Sequence, residues 1–225
     1  MKRLHISSKT LLQYKNDQIK QFEKLVKVAR KQATEKSIHK IRVTARRLTP
    51  VLKNKKLRKM ARVLGKERDL DVAINNANHY QLATRILRQA KKAAHKNTGA
   101  KLKKIDIKIP AHSSNARMLI DFKRMMRKQN LKLKQFSQAK PSQIDLHRLR
   151  IVFKKVRYGL EAIGIIQPQL QNMQDLLGHI HDLEVLQELL GEDQAVLRDK
   201  SKAKRQVNRS YRQVIQSTSK CLDQI

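Results

Sequence analysis

One segment of this chain occurs twice. Ile38-His39-Lys40-Ile41-Arg42-Val43-Thr44-Ala45-Arg46-Arg47-Leu48 aligns with Leu146-His147-Arg148-Leu149-Arg150-Ile151-Val152-Phe153-Lys154-Lys155-Val156 at an offset of 108 residues. Leu64-Gly65-x-x-x-Asp69-Leu70-Asp71-Val72 aligns with Leu177-Gly178-x-x-x-Asp182-Leu183-Glu184-Val185 at an offset of 113. The chain therefore reads as two related halves. Each half must build the same unit, and each carries one basic, His-containing helix.

That unit reads as helical. Apolar residues recur at i, i+3, i+4 and i+7 through most of the chain, and glycine (6) and proline (4) are scarce. The breaks predict helices over 8–34, 37–53, 55–79 and 81–103, then 113–138, 143–164, 168–190 and 193–221. Ser37 and Ser142 suit N-caps before the two basic helices, and Pro168 suits a first helical turn. The one weak strand pattern, Ile105-Asp106-Ile107-Lys108-Ile109 before Pro110, reads as an extended linker between halves. Four long helices with short connections make a four-helix bundle. The expected fold is all-α: two four-helix bundles about a pseudo-twofold axis, with one continuous helical array as the alternative.

The charge says what such a molecule meets. Lys and Arg number 52 against 18 Asp and Glu, a formal net charge of +34. Self-repulsion of that size works against a fold, so it speaks to partners: polyanions such as nucleic acid, polyphosphate or an anionic membrane. The single cysteine, Cys221, forms no internal disulfide, which fits a reducing compartment. No apolar run approaches the roughly 20 residues that span a bilayer. A cytoplasmic protein without a membrane partner is expected.

Within the basic helices the cations are ordered. With His39 at zero on a helical wheel, Arg42, Arg46 and Lys53 fall within roughly 60° of it, and Ile41, Ala45, Leu48 and Leu52 lie opposite. His147, Arg150, Lys154 and Arg157 line one face of the second copy, opposite Leu149, Phe153, Val156 and Leu160. A solvated amphipathic helix also shows a basic stripe opposite an apolar one. Here, however, the stripe has almost no acidic partners, so its cations repel at i, i+4. If the bundles face each other, the two stripes line a shared groove. A bound phosphate would favour the protonated, donating form of each histidine.

Gly65 and Gly178 interrupt helical pattern, where glycine costs about 1 kcal/mol relative to alanine. Close approach of a neighbouring helix would explain them. Asp69 and Asp182, one turn later, are expected to orient the basic helices by pairing with a His or Arg. Arg58 and Arg62 extend the basic surface of the first half. His179-Ile180-His181-Asp182 invites a metal reading, but its first-half equivalent has Arg68-Asp69, and arginine does not ligate metals. No metal, cofactor or catalytic residue is expected.

These segments resemble the CHAD family, the conserved histidine α-helical domain. The carrying residues are His39-Lys40-Ile41-Arg42-Val43-x-x-Arg46-Arg47-Leu48, Leu64-Gly65-x-x-Arg68-Asp69-Leu70-Asp71-Val72, Leu146-His147-Arg148-Leu149-Arg150-x-x-x-Lys154-x-x-Arg157-Tyr158-x-x-Glu161 and Leu176-Leu177-Gly178-x-x-x-Asp182-Leu183. The resemblance spans about residues 8–221. It implies two four-helix halves, 1–108 and 109–225, around a basic channel that binds inorganic polyphosphate, as in family members found on polyphosphate granules. It implies a binder, not an enzyme. Thr49-Pro50 departs from the pattern and should bend or end the first basic helix early. Lys154-Lys155 replaces an arginine pair, which keeps charge but loses bidentate phosphate geometry. Nucleic-acid binding through backbone phosphates is the alternative. The 4% aromatic content, with no Trp, leaves little platform for stacking bases. The basic C-terminal helix, from Arg198 to Arg212, adds peripheral attraction for any polyanion or is simply solvated.

Overall fold

A computed structural model describes residues 4–52, 54–103, 114–139 and 144–225, leaving aside the side chains of Lys56 and Lys101. Nine helices lie among them: α1 (Ser8–Lys31), α2 (Glu35–Leu48), α3 (Lys55–Val63), α4 (Gly65–His79), α5 (Arg85–Lys103), α6 (Asn115–Gln138), α7 (Leu146–Ala162), α8 (Pro168–Leu190) and α9 (Gln194–Leu222). No strand occurs among the described residues. The expected linker pattern at 105–109 and the expected cap Ser142 lie outside them.

Local chemistry fixes most helix ends. Thr34, not Ser37, caps α2. The Ser37 amide donates to Thr34 Oγ1 at 3.2 Å and the Thr34 amide donates to Ser37 Oγ at 2.9 Å, a reciprocal box that places Ser37 one turn inside. Asp145 caps α7, accepting from the Arg148 amide at 3.0 Å. Pro168 opens α8, where its missing N–H costs nothing, and Gly191, at φ 87°, closes it. Pro50 stops α2 at Leu48, short of the expected 53. Gln81 adopts φ 57° just after α4, and the Leu82 amide returns to the Ala77 carbonyl at 2.7 Å. That left-handed stop delays α5 to residue 85.

One helix predicted as continuous is interrupted. The 55–79 segment breaks at Leu64 into α3 and α4. Arg42, reaching over from α2, donates through Nη1 to the carbonyls of Leu64 at 3.3 Å and Gly65 at 3.0 Å. A side chain bonding into the backbone ladder is a known cause of such breaks.

α6, α7, α8 and α9 pack in a ring, each against the next and α9 back on α6. In the first half α1, α2, α4 and α5 close a similar ring, with α3 against α2 and α4. Between the halves α1 meets α6, α2 meets α7, and α4 meets α8. The main core is continuous through both halves. It joins Phe22, Ile41 and Leu48 to Phe122, Phe153 and Tyr211, all essentially inaccessible. A smaller cluster around Ala77, Leu87, Leu183 and Val196 seals α4 and α5 against α8 and α9. The backbone amide of Leu4 donates to the Gln224 carbonyl at 2.8 Å, so these two residues lie side by side. No described helix is long and apolar enough to cross a membrane.

Candidate functional site

Where α2 and α7 meet, their apolar faces enter the core and their basic faces border a cavity of about 1040 Å³. His39, Arg42 and Arg46 line it from α2, and His147, Arg150, Lys154 and Arg157 from α7. Arg58, Asp69, Gly178 and Asp182 also line it. Among the other predicted residues, Gly65 is buried beneath Arg42, Arg47 and Arg62 stand outside the cavity wall, and Lys53 lies outside the described residues. Arg47 Nε donates instead to Glu161 Oε2 at 3.1 Å. Glu161 Oε1 accepts from Arg157 Nε at 2.8 Å, which ties α2 to α7.

The two glycines differ from their expected role. A Cβ at Gly65 would face the Arg42 guanidinium at 3.7 Å, so a side chain, not a helix backbone, approaches it. A Cβ at Gly178 would meet nothing within 4 Å; this residue widens the cavity. The close helix approach occurs at Gly159 of α7, where a Cβ would run into the buried Met126 side chain of α6.

Eight Arg and Lys residues line the cavity against three carboxylates, Asp69, Asp175 and Asp182. Two of those carboxylates are already engaged. Asp69 lies 3.7 Å from Arg42 Nη1 and 3.6 Å from Arg68 Nη1. Asp182 lies 3.2 Å from the same Arg68 nitrogen, so one first-half arginine bridges the aspartates of both halves. Arg46, Arg150 and Lys154 form no ion pair among the described residues, and Arg150 Nε is buried without a hydrogen-bond partner.

This crowding weakens the hold on protons. Burial, then Arg150, Arg46 and Arg68, push the Lys154 ammonium down to about 7, with Asp182 only partly offsetting them. Burial, then Arg46, push Arg42 down to about 10 against the pull of Asp69. Arg150 is lowered by burial first, although Asp182 favours its charge. His39 is lowered by burial and by Arg68, Arg42 and Arg46, and His181 by burial and Arg150. A site that disfavours its own cations is one in which an arriving anion gains most.

Among the lining residues absent from the predicted set are four basic ones: Arg68, Lys155, His179 and His181. Arg68 was visible one turn after Gly65, beside Asp69. The histidines were weighed only as metal ligands, and no group of three His, Cys, Asp or Glu able to hold a metal occurs among the described residues. His181 stacks obliquely beside His147, ring centroids 5.5 Å apart. His179 Nε2 lies 3.3 Å from Asp199 Oδ2, which accepts the Tyr80 hydroxyl at 2.6 Å.

The fold has known counterparts. PptA from Streptomyces chartreusis superimposes with a TM-score of 0.57 at 13% identity, over 98% of this chain and 100% of its own. The CHAD domain from the plant Ricinus communis does so with a TM-score of 0.61 at 18% identity, over 99% and 91%. At such identities the likeness is one of fold. No curated protein sequence matches the chain. The CHAD domain family itself matches residues 13–191, which takes in both basic helices and both Gly–Asp segments, and the chain belongs to that family.

Proposed function

We propose that the protein binds inorganic polyphosphate in the cavity between α2 and α7, as a cytoplasmic, non-catalytic binder that attaches to polyphosphate granules. The observation that carries this is the excess of cations without an ion pair among the described residues, Arg46, Arg150 and Lys154 foremost, drawn from both halves to one cavity. Linear polyphosphate offers closely spaced charge and no bases, so point charges and hydrogen-bond donors suffice to hold it. Tyr158 is the one Phe, Tyr or Trp residue on the wall among the described residues, which leaves little for base stacking. Binding releases counterions and weakens with salt, as at other phosphate chains.

The test is competition. Labelled long-chain polyphosphate is titrated across a salt series and displaced with duplex DNA, RNA and heparin, for the unmodified protein and for a variant with Arg46, Arg150 and Lys154 changed to Ala. Polyphosphate should win by more than about tenfold near physiological salt, and the triple variant should lose that preference. Equal competition by nucleic acid, unaffected by the substitutions, would mean that the charge acts as a diffuse surface.

A further inference from the structure

At one edge of the cavity the cations continue outward. Arg58 of α3 and Lys155 of α7 both line it. Lys128 and Lys132 of α6 act on Lys155 together with Arg58, so the four charges form one cluster from three helices. On α6, Met125 and Gln129 are part of the cavity wall. Positions 125, 128, 129 and 132 stand at i, i+3, i+4 and i+7, so the two lysines continue the side of α6 that faces the cavity. None of the four cationic side chains has an ion pair or hydrogen bond among the described residues.

Such a cluster is unfavourable as it stands. Lys128 and Lys132, one turn apart, repel each other. Lys155 is partly desolvated, and its pKa is lowered by burial first and then by Lys132, Lys128 and Arg58, with no carboxylate opposing them. Among the described residues no neighbouring side chain relieves this; an anion would. Along α2 the cavity wall runs from His39 to Thr49, about 15 Å of helix rise. A longer phosphate chain lying along that wall has to leave the cavity.

We propose that this cluster is an exit track: a polyphosphate chain too long for the cavity leaves between Arg58 and Lys155 and lies along Lys128 and Lys132 on α6. The track rests on the polyphosphate reading above and gives it a property that the cavity alone lacks, namely a preference for long chains over short ones.

The experiment compares tripolyphosphate with a long-chain polyphosphate on the full chain, using Lys128→Gln/Lys132→Gln and, as a charge-matched control, Arg198→Gln/Lys202→Gln. The control pair lies on α9, about 25–32 Å of helix rise from Ser219, where α9 meets Asn130 of α6. The track variant should bind long chains about tenfold more weakly and tripolyphosphate within about twofold of the unmodified protein. Its log-affinity against log-salt slope for long chains should shrink by about 1.4, the contribution of two charges on a single strand. An equal loss for both ligands, or an equal loss in the control, overturns the track while leaving the cavity assignment intact. Failure of the unmodified protein to bind either phosphate overturns the polyphosphate reading itself, and the track with it.

Discussion

Lys154 is where proton and ligand meet. Its pKa of about 7 against an ordinary 10.5 leaves it largely neutral in the empty protein just above neutrality. A polyanion in the cavity favours the ammonium form, so binding takes up a proton in that window. Affinity for polyphosphate should therefore fall as pH rises from about 7 towards 10, and Lys154→Arg, charged throughout, should flatten the trend in titrations at several pH values. Folding has the opposite sign. The unfolded lysine keeps its proton up to 10.5 and the folded one only to about 7, so this group makes the empty protein more stable as pH rises through the interval. In Lys154→Met that part of the pH dependence of Tm should vanish. Arg42 plays a different part. It is 6% exposed and its guanidinium bonds the carbonyls at the α3–α4 break. Arg42→Ala should cost about 2–3 kcal/mol, read by chemical denaturation, because charge-assisted bonds to buried carbonyls are lost.

Among the helices, α8 offers a separation of stability from binding. Gly178 sits mid-helix with open space before it. Gly178→Ala should raise stability by about 0.5–1 kcal/mol through helix propensity alone. Gly178→Leu should fill cavity space and weaken polyphosphate binding while the helix persists; equal affinity would show that ligand passes elsewhere. The same helix shows what could be read from sequence. Its limits, 168–190, followed from Pro168 and apolar spacing, both local signals. The ends of α2 and the gap between α4 and α5 were less legible. Thr34 competes with Ser37 for the cap, and the Gln81 turn lacks the glycine that usually marks it. The break at Leu64 had only Gly65 as a local signal, because its cause is a side chain 22 residues earlier. The sign of the site was legible, since charge is written in the sequence. Its internal pairing was not: Arg47 turns to Glu161 and Arg68 to Asp182, each across 114 residues.

At the scale of the molecule, both halves share one apolar core, and polar ties cross between them: Arg47 to Glu161, Arg68 to Asp182 and Tyr80 to Asp199. Neither half expressed alone buries its share of that core. The hydrogen bond from Leu4 to Gln224 leads to the reverse of cutting. A few added residues would join those neighbouring positions into a ring, and reopening it between Lys103 and Ser114 yields a circular permutant with the second copy leading. This permutant should fold with the same helical circular dichroism and hold the same ligand, while a molten or aggregated product would mean that the present order is needed for folding. Where Leu4 and Gln224 already touch, which half is made first is a matter of history, not of physics.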